Sequence, residues 1–446
     1  MSKSSEIDML HGPLTANLIR FALPVALSSM LQQLFNSMDT AVVGRFADAN
    51  ALGAVGTNSE IVGFLVSLSS GLAVGANVLI AKFIGSGQKE KIKSAINSAL
   101  VISVCFGLFV GILGQALAMP IMRAINVSSE IIEMAALYLK LYFITYPFLL
   151  VYDFCSAILR SKGDSRRPFI ALVISGGLNA VLNLFFVIVC KMGVAGVGTA
   201  TIISTAISCL LTLNFLIHEK DEFKLTLKTF KANKTDVSNI LKIGIPAAVQ
   251  GAVFCLANIF VQSAVNKFGA LATAGNSIAV TFEYFAYYFA TAFGQATTTF
   301  ISQNFAANQR ARCKEIFHKC LFCAVAFTAI LSTPLSIFRT QAASIFTTDP
   351  TAIHYAGIRI LMILLLQPFC AFVEIPGCAM RGLGFSLLPS LLTLIGICFV
   401  RIFWTCVVFP HINTYPGLLV IHSGSWFITI TAMWISWAII KKRVNL

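Results

Sequence analysis

Charge is what this sequence has least of. Only 11% of its 446 residues are Asp, Glu, Lys or Arg, whereas a soluble domain carries about 25%. At the same time 57% of the residues are hydrophobic. A soluble globular protein is therefore excluded, and the composition predicts an integral membrane protein.

Catalytic and nucleotide-binding signatures are also absent. The sequence has no G-x-S-x-G, no P-loop and no H-E-x-x-H motif, and its six histidines are scattered. Cys320 and Cys323 form a C-x-x-C pair, but on an apolar helix where packing is the expected role. We expect no enzyme, no cofactor and no resident metal. Any uphill work would then be driven by an ion gradient.

Long apolar runs are what the sequence has in abundance. Each is close to the ~20 residues that a membrane-spanning helix needs, and the alternating pattern of a membrane β-barrel is missing. We predict an all-α membrane protein with twelve transmembrane helices, at residues 16–45, 52–81, 93–119, 131–157, 168–190, 194–217, 237–265, 271–302, 315–338, 353–379, 389–409 and 417–440.

Positive charge is unevenly distributed between the segments that join these helices. If both termini are cytoplasmic, the inner segments hold 24 of the 32 Lys and Arg residues. This asymmetry follows the positive-inside rule and predicts a multi-pass protein of the cell membrane with both termini inside. It explains the net charge of +14 without a nucleic-acid partner.

The two halves of the chain form an internal repeat. NLIRFALP at 17–24 parallels NILKIGIP at 239–246, an offset of 222 residues. Six marked residues over 147–168 recur over 368–389, all at an offset of 221. Each half holds six predicted spans, as in transporters built from two parallel repeats. We predict an N-terminal lobe at 1–217, a cytoplasmic linker at 218–236 and a C-terminal lobe at 237–446.

Asp39 is the most unusual residue of the first span. A carboxylate at membrane depth costs roughly 2.5–3.5 kcal/mol, so it indicates either a helix-end acid reaching water or an ion-coupling acid. The repeat favours the second interpretation, because the equivalent position in the second half is Val261. Asn179 and Asn183 share one helical face, and with Thr201 they could complete a proton or cation site.

Other polar residues in the spans have two interpretations each. Asp153 with Arg160 and Glu374 with Arg381 are a repeat-related pair, either structural or functional. Glu283 lies among aromatic residues, which attract lipophilic cations but more often only pack. The candidates for a substrate cavity are Gln33, Asn36, Glu283, Tyr287 and Glu374. Glycines at 71, 75, 107 and 111 predict close helix contacts.

Five stretches of the chain resemble the multidrug and toxic compound extrusion (MATE) family, over about 430 residues. They are ALPVALSSMLQQLFNSMDTAVVGRF, GLAVGANVLIAKFIGSG, AILRSKGDSRRP, FGQATTTFISQNFAANQ and AMRGLGFS. The resemblance implies two pseudo-symmetric six-helix lobes in a V-shaped fold. It also implies a bacterial, monomeric exporter of organic cations or other amphiphilic small molecules, in exchange for H⁺ or Na⁺.

Within this family the chain is most similar to the DinF-like branch. The resemblance assigns the first-lobe cation site of that branch to Asp39, Asn179, Asn183 and Thr201. Asn183 departs from the pattern, because the family has a second carboxylate there. The helix-7 acid of NorM-like members is missing, and Glu374 lies one turn beyond their tenth-helix acid. The coupling ion therefore stays open between H⁺ and Na⁺.

Two further functions are compatible with a membrane protein of this size. A lipid-linked saccharide flippase belongs to the same superfamily and could use the same cavity, but its pyrophosphate would call for several arginines. The first half offers only Arg45 and Arg123 away from the inner loops. A membrane-embedded enzyme would need a polar catalytic pair near an interface, and the sequence shows none.

Overall fold

A computed structural model of the chain describes residues 6–47, 49–219, 221–225 and 231–446. All regular secondary structure in these ranges is helical, which confirms the all-α prediction. The first half contains α1 Leu14–Phe46, α2 Ala49–Gly85, α3 Lys89–Ala124, α4 Ile132–Ser161, α5 Arg166–Leu184 with a π-helical extension Phe185–Val189, and α6 Gly193–Ile217.

The second half repeats this order with more interruptions. It contains α7 Lys234–Asn266, α8 Ala270–Ala306, α9 Arg310–Ile337, α10 Arg339–Ser344, α11 Pro350–Met362, α12 Ala371–Gly382, α13 Leu387–Thr393, α14 Val400–Phe403, α15 Phe409–Ile412 and α16 Tyr415–Arg443. A 3₁₀ segment, Leu364–Cys370, separates α11 from α12. Two π-helical segments, Leu394–Phe399 and Trp404–Val408, flank α14.

The predicted spans at 353–379 and 389–409 correspond to the apolar helical segments Pro350–Gly382 and Leu387–Ile412, and within each the helix type changes. Pro368 lies inside the 3₁₀ segment, and a proline removes one backbone donor and clashes with the preceding turn. Both segments are among the eleven apolar helical segments of the described residues that are long enough to cross a membrane. The helix α8, with 37 residues, is long enough but less apolar, because its second half carries residues such as Thr297, Thr298 and Gln303.

The chain is organised in two compact units. Unit 1 consists of Leu27–Ala248 with the described residues before Asp8, and unit 2 consists of Asp8–Ala26 and Val249–Leu446. The helices α1 and α7 are thus each divided between the units, at repeat-equivalent positions. The predicted linker at 218–236 includes residues 220 and 226–230, which lie outside the described residues, and its last three residues already belong to α7. The predicted lobe boundaries stay a prediction.

Close helix contacts at the four glycines are confirmed. A Cβ atom added at Gly71 would overlap the backbone of Ala248, and one at Gly75 would overlap the carbonyl oxygen of Ile240. At Gly107 the added atom would lie 2.9 Å from the Cα of Pro147, and at Gly111 it would lie 3.0 Å from a backbone oxygen. Small residues let membrane helices approach to backbone distance, where van der Waals packing holds them together.

We expect Gly75→Ala to lower the stability of the protein by about 1–3 kcal/mol, because the methyl group is forced against backbone that cannot move aside. Gly56→Ala is the matched control on the same helix, since a Cβ there meets nothing within 4 Å. The melting temperatures of the two purified variants in detergent measure the difference. Equal melting temperatures would contradict this account of the contact.

Candidate functional site

The structure brings Asp39, Asn183 and Thr201 together inside unit 1. Asp39 is only 5% exposed. The amide nitrogen Nδ2 of Asn183 donates to Oδ1 of Asp39 at 2.5 Å, and the hydroxyl of Thr201 donates to Oδ2 at 3.3 Å. Three helices, α1, α5 and α6, therefore each contribute one polar side chain to the same cluster.

Asn179 extends this cluster by one helical turn. Its Oδ1 accepts a second hydrogen bond from Nδ2 of Asn183 at 3.1 Å, and its Nδ2 donates to the hydroxyl of Ser204 at 3.3 Å. The two asparagines meet because residues four apart lie on one helical face. Gly176, three residues before Asn179, leaves room for the ring of Phe35, so α5 can approach α1 here.

Oxygen atoms dominate this polar cluster. The side chains of Asp39, Asn179, Asn183 and Thr201 all carry oxygens, the ligand type that hard cations such as Na⁺ prefer. One of them, Oδ1 of Asn183, is buried and has no hydrogen-bond partner among the residues that the structure describes. A buried acceptor without a donor costs about 1–3 kcal/mol, which marks it as an atom available to a bound proton or cation.

Two tyrosines of α4, neither of which was predicted from the sequence, also interact with this cluster. Tyr138 and Tyr142 are buried and interact electrostatically with Asp39. With Tyr146 they recur every four residues along α4, which is the spacing of one helical face. That stripe of three tyrosines was the signal in the sequence.

The repeat-related acids form different contacts from those of Asp39. Asp153 is buried, accepts a hydrogen bond from the Ser69 hydroxyl at 2.6 Å and interacts electrostatically with Arg160.

The acid of the second half has a different neighbour. Glu374 accepts a hydrogen bond from the thiol of Cys378 at 3.3 Å. Arg381 donates a hydrogen bond to the side-chain oxygen of Gln250 in α7. Whether these four repeat-related residues are structural or functional stays open.

Glu283 has a partner that the sequence analysis missed. The guanidinium of Arg359 in α11 donates to both carboxylate oxygens of Glu283, at 2.7 and 2.8 Å, and to Oδ1 of Asn276 at 2.7 Å. Arg359 is only 5% exposed. The charge of Glu283 is thus compensated by Arg359, and its predicted contact with substrate stays a prediction.

The remaining cavity candidates do not join the Asp39 cluster. Asn36 is exposed on α1 and Gln33 is half-buried one turn before it. In unit 2, Tyr287 and Glu374 are half-buried and interact electrostatically with each other. Their predicted contact with substrate stays a prediction.

Comparison with known proteins identifies the fold family. The family model described as MatE matches the chain twice, over residues 24–185 and 246–407. The chain belongs to the MatE family. The two matched ranges are equal in length and begin at equivalent prolines, which confirms the internal repeat. MatE proteins are membrane transporters, and this chain is a multi-pass member with the fold of that family.

Relatives in the MatE family carry names that refer to drug resistance. The chain is 26% identical over 386 residues to the probable multidrug resistance protein YoeA of Bacillus subtilis, covering 84% of this chain and 83% of that protein. It is 22% identical over 346 residues to the multidrug export protein MepA of Staphylococcus aureus, covering 77% of this chain and 76% of that protein.

Solved structures of MatE transporters share the whole fold. A transporter of the MOP superfamily from Pyrococcus furiosus superposes with a TM-score of 0.89 at 20% identity, covering 100% of this chain and 99% of that chain. A MATE structure in complex with MaL6 gives a TM-score of 0.90 at the same identity and the same coverage.

Proposed function

We propose that this protein is a secondary active antiporter that exports organic cations or other amphiphilic compounds in exchange for H⁺ or Na⁺. The buried cluster around Asp39 is the observation that carries the proposal. An acid in a membrane helix is costly, and this one is held by donors from two other helices. The names of the relatives support multidrug compounds as the exported class.

Coupling at this site requires two states with different ion affinity. A bound proton or Na⁺ neutralises Asp39, so it favours the conformation in which the carboxylate is most buried. A substrate that favours the other conformation would then be exchanged for the ion. Alternating access between two repeats is the mode of transport that this fold supports.

The direct test is export in proteoliposomes that contain the full chain. A fluorescent cationic dye is loaded, and a pH gradient and a Na⁺ gradient are imposed separately. Dye export driven by either gradient, and abolished by dissipating it, is the expected result. Export that is indifferent to both gradients would contradict antiport.

Restoring a second carboxylate is expected to change the ion preference. In Asn183→Asp, two carboxylates would face one site, and a higher ligand charge favours Na⁺ binding. We expect the apparent affinity for Na⁺ to rise about tenfold or more, equivalent to about 1.4 kcal/mol. The measurement is dye export as a function of Na⁺ concentration at constant pH.

Asn50→Asp is the control for that experiment. It makes the same substitution and adds the same charge at an exposed position in the first turn of α2, outside the Asp39 cluster. It should leave the Na⁺ dependence unchanged. A similar rise in both variants would show that charge alone is responsible, independent of the geometry around Asp39.

A lipid-linked saccharide flippase stays the alternative. The described part of the second half adds three buried arginines, Arg359, Arg381 and Arg401, but Arg359 is already bound to Glu283 and Arg381 donates to Gln250. Ion-independent movement of a lipid-linked pyrophosphate analogue across the same vesicles would favour the flippase.

Three further properties are proposals as well. They are membership of the DinF-like branch, the cytoplasmic position of both termini and the monomeric state.

A further inference from the structure

The second half of the chain contains a counterpart of the Asp39 cluster. The two ranges of the family match begin 222 residues apart, at 24 and 246, and end 222 residues apart, at 185 and 407; at that spacing Asn179 corresponds to Arg401 and Asn183 to Thr405. Their contacts correspond as well. In the first half Nδ2 of Asn179 donates to Ser204, and in the second half Nε of Arg401 donates to the hydroxyl of Ser425, both at 3.3 Å.

The next contact in each half follows the same pattern. The hydroxyl of Ser204 donates to the carbonyl oxygen of Thr201 at 3.1 Å, and that of Ser425 donates to the carbonyl oxygen of His422 at 2.8 Å. Each serine thus bonds to the residue three positions before it in the last helix of its half. The interhelical hydrogen bond from Arg401 to Ser425 therefore corresponds to the one from Asn179 to Ser204, and it defines the Arg401 cluster, which consists of Arg401, Thr405, His422 and Ser425.

The sign of the buried charge is inverted between the two clusters. The position of Asp39 is occupied by Val261 in the second half, and Arg401 stands where the first half has a neutral amide. Arg401 is only 2% exposed. Among the described residues no carboxylate forms an ion pair with its guanidinium. The nearby Glu283 is bound on both oxygens by Arg359.

A second unpaired group lies one turn from this arginine. Thr405 is 8% exposed, and its hydroxyl has no hydrogen-bond partner within the described part of the chain. Thr201, by contrast, returns a hydrogen bond to the carbonyl of Val197 four residues earlier. Thr405 lies in the π-helical segment Trp404–Val408, where the widened turn alters that geometry. The ring of Phe254 lies 5.5 Å from the guanidinium and covers another side of Arg401.

An uncompensated arginine in a membrane helix needs a negative partner. A buried charge without a counter-ion is strongly destabilising, and ionisable residues at this depth normally pair. Guanidinium and hydroxyl donors together suit a small anion or a carboxylate. We propose that the Arg401 cluster is an anion-binding site inside unit 2, selective for a halide or a carboxylate group.

Thermal stability of the purified full chain tests this site without reference to transport. The melting temperature is measured in sodium chloride, sodium formate and sodium isethionate at equal ionic strength, since isethionate is neither a halide nor a carboxylate. We expect chloride or formate to raise it by about 2 °C or more over isethionate, because a ligand of the folded state stabilises it by mass action. Arg401→Asn, which installs the residue found in the first half, should abolish this difference.

Two further variants keep the test decisive. Thr405→Val preserves shape and removes one donor, so it should weaken the response to the anion severalfold even if Arg401→Asn does not fold. Arg123→Asn removes an exposed arginine and should respond like the original protein. No difference between the salts in the original protein, or an undiminished difference in Arg401→Asn, would overturn the proposal.

The source of the anion is distinguished by a pair of dyes. Rhodamine 110 carries a free carboxyl group, and rhodamine 123 is its methyl ester. Stabilisation by rhodamine 110 alone, lost in Arg401→Asn, would assign the site to a carboxylate on a transported compound. Stabilisation by chloride or formate with no preference between the dyes would assign it to a free anion. Because this readout is binding, it is independent of ion coupling at Asp39.

Discussion

Replacing Asp39 by Asn is expected to lower gradient-driven export about tenfold or more while leaving the protein folded. The amide oxygen can still accept the hydrogen bond from Asn183, so the packing of α1 against α5 is retained. What is lost is the ability to gain and release a proton or to attract Na⁺. Since site-to-site coupling is typically worth about 5- to 150-fold, we expect export to fall about tenfold or more.

The measurement is dye export from proteoliposomes at matched protein content and melting temperature. Asp39→Glu keeps the carboxylate and should retain part of the activity. Glu60→Gln is the matched control, because Glu60 is an exposed acid of the neighbouring helix α2. Undiminished export in Asp39→Asn at normal membrane levels would exclude Asp39 as the coupling group.

Removing Arg359 is expected to have the largest effect on stability. Arg359→Met leaves the carboxylate of Glu283 without its two hydrogen bonds in a buried site, and breaking a buried pair this way costs about 3–5 kcal/mol. We expect a large fall in melting temperature. Arg123→Met, at an exposed arginine, should change it little.

The double variant Glu283→Gln with Arg359→Met separates structure from function. It removes both charges together, so most of the stability should return, since a buried ion pair often contributes little net stability. If the pair is structural, the double variant also exports dye at a normal rate. Restored stability with lost export would instead return Glu283 to the substrate cavity.

Local patterns in the sequence were enough to predict the helices and, together with the family resemblance, the Asp39 cluster. Asn179 and Asn183 share a face by spacing alone, and family resemblance supplied their proximity to Asp39. The pairing of Glu283 with Arg359 could not be predicted in this way, because the two residues are far apart in the chain and no periodicity links them. The aromatic residues next to Glu283 in the sequence indicated a site for a cation, whereas in the structure Arg359 donates to the carboxylate of Glu283.

The interruption of the predicted span at 353–379 was missed for a different reason. Its apolar content is continuous through Leu364–Cys370, so hydropathy gives no break, and only Pro368 marked the change to a 3₁₀ turn. The Arg401 cluster could have been predicted from the sequence. The repeat spacing that sets Asp39 against Val261 also sets Asn179 against Arg401.

The amide of Asn183 has two ends with opposite preferences. Its nitrogen now serves both Asp39 and Asn179, while its carbonyl oxygen has no partner among the described residues. A half-turn of this neutral group would present its oxygen to Asp39. The oxygen is an acceptor and suits a protonated acid or a bound cation, whereas the nitrogen is a donor and suits an ionised carboxylate. The orientation of the Asn183 amide would then differ between the empty and the occupied site. An aspartate at position 183 has two equivalent oxygens, so its orientation would not distinguish the two states.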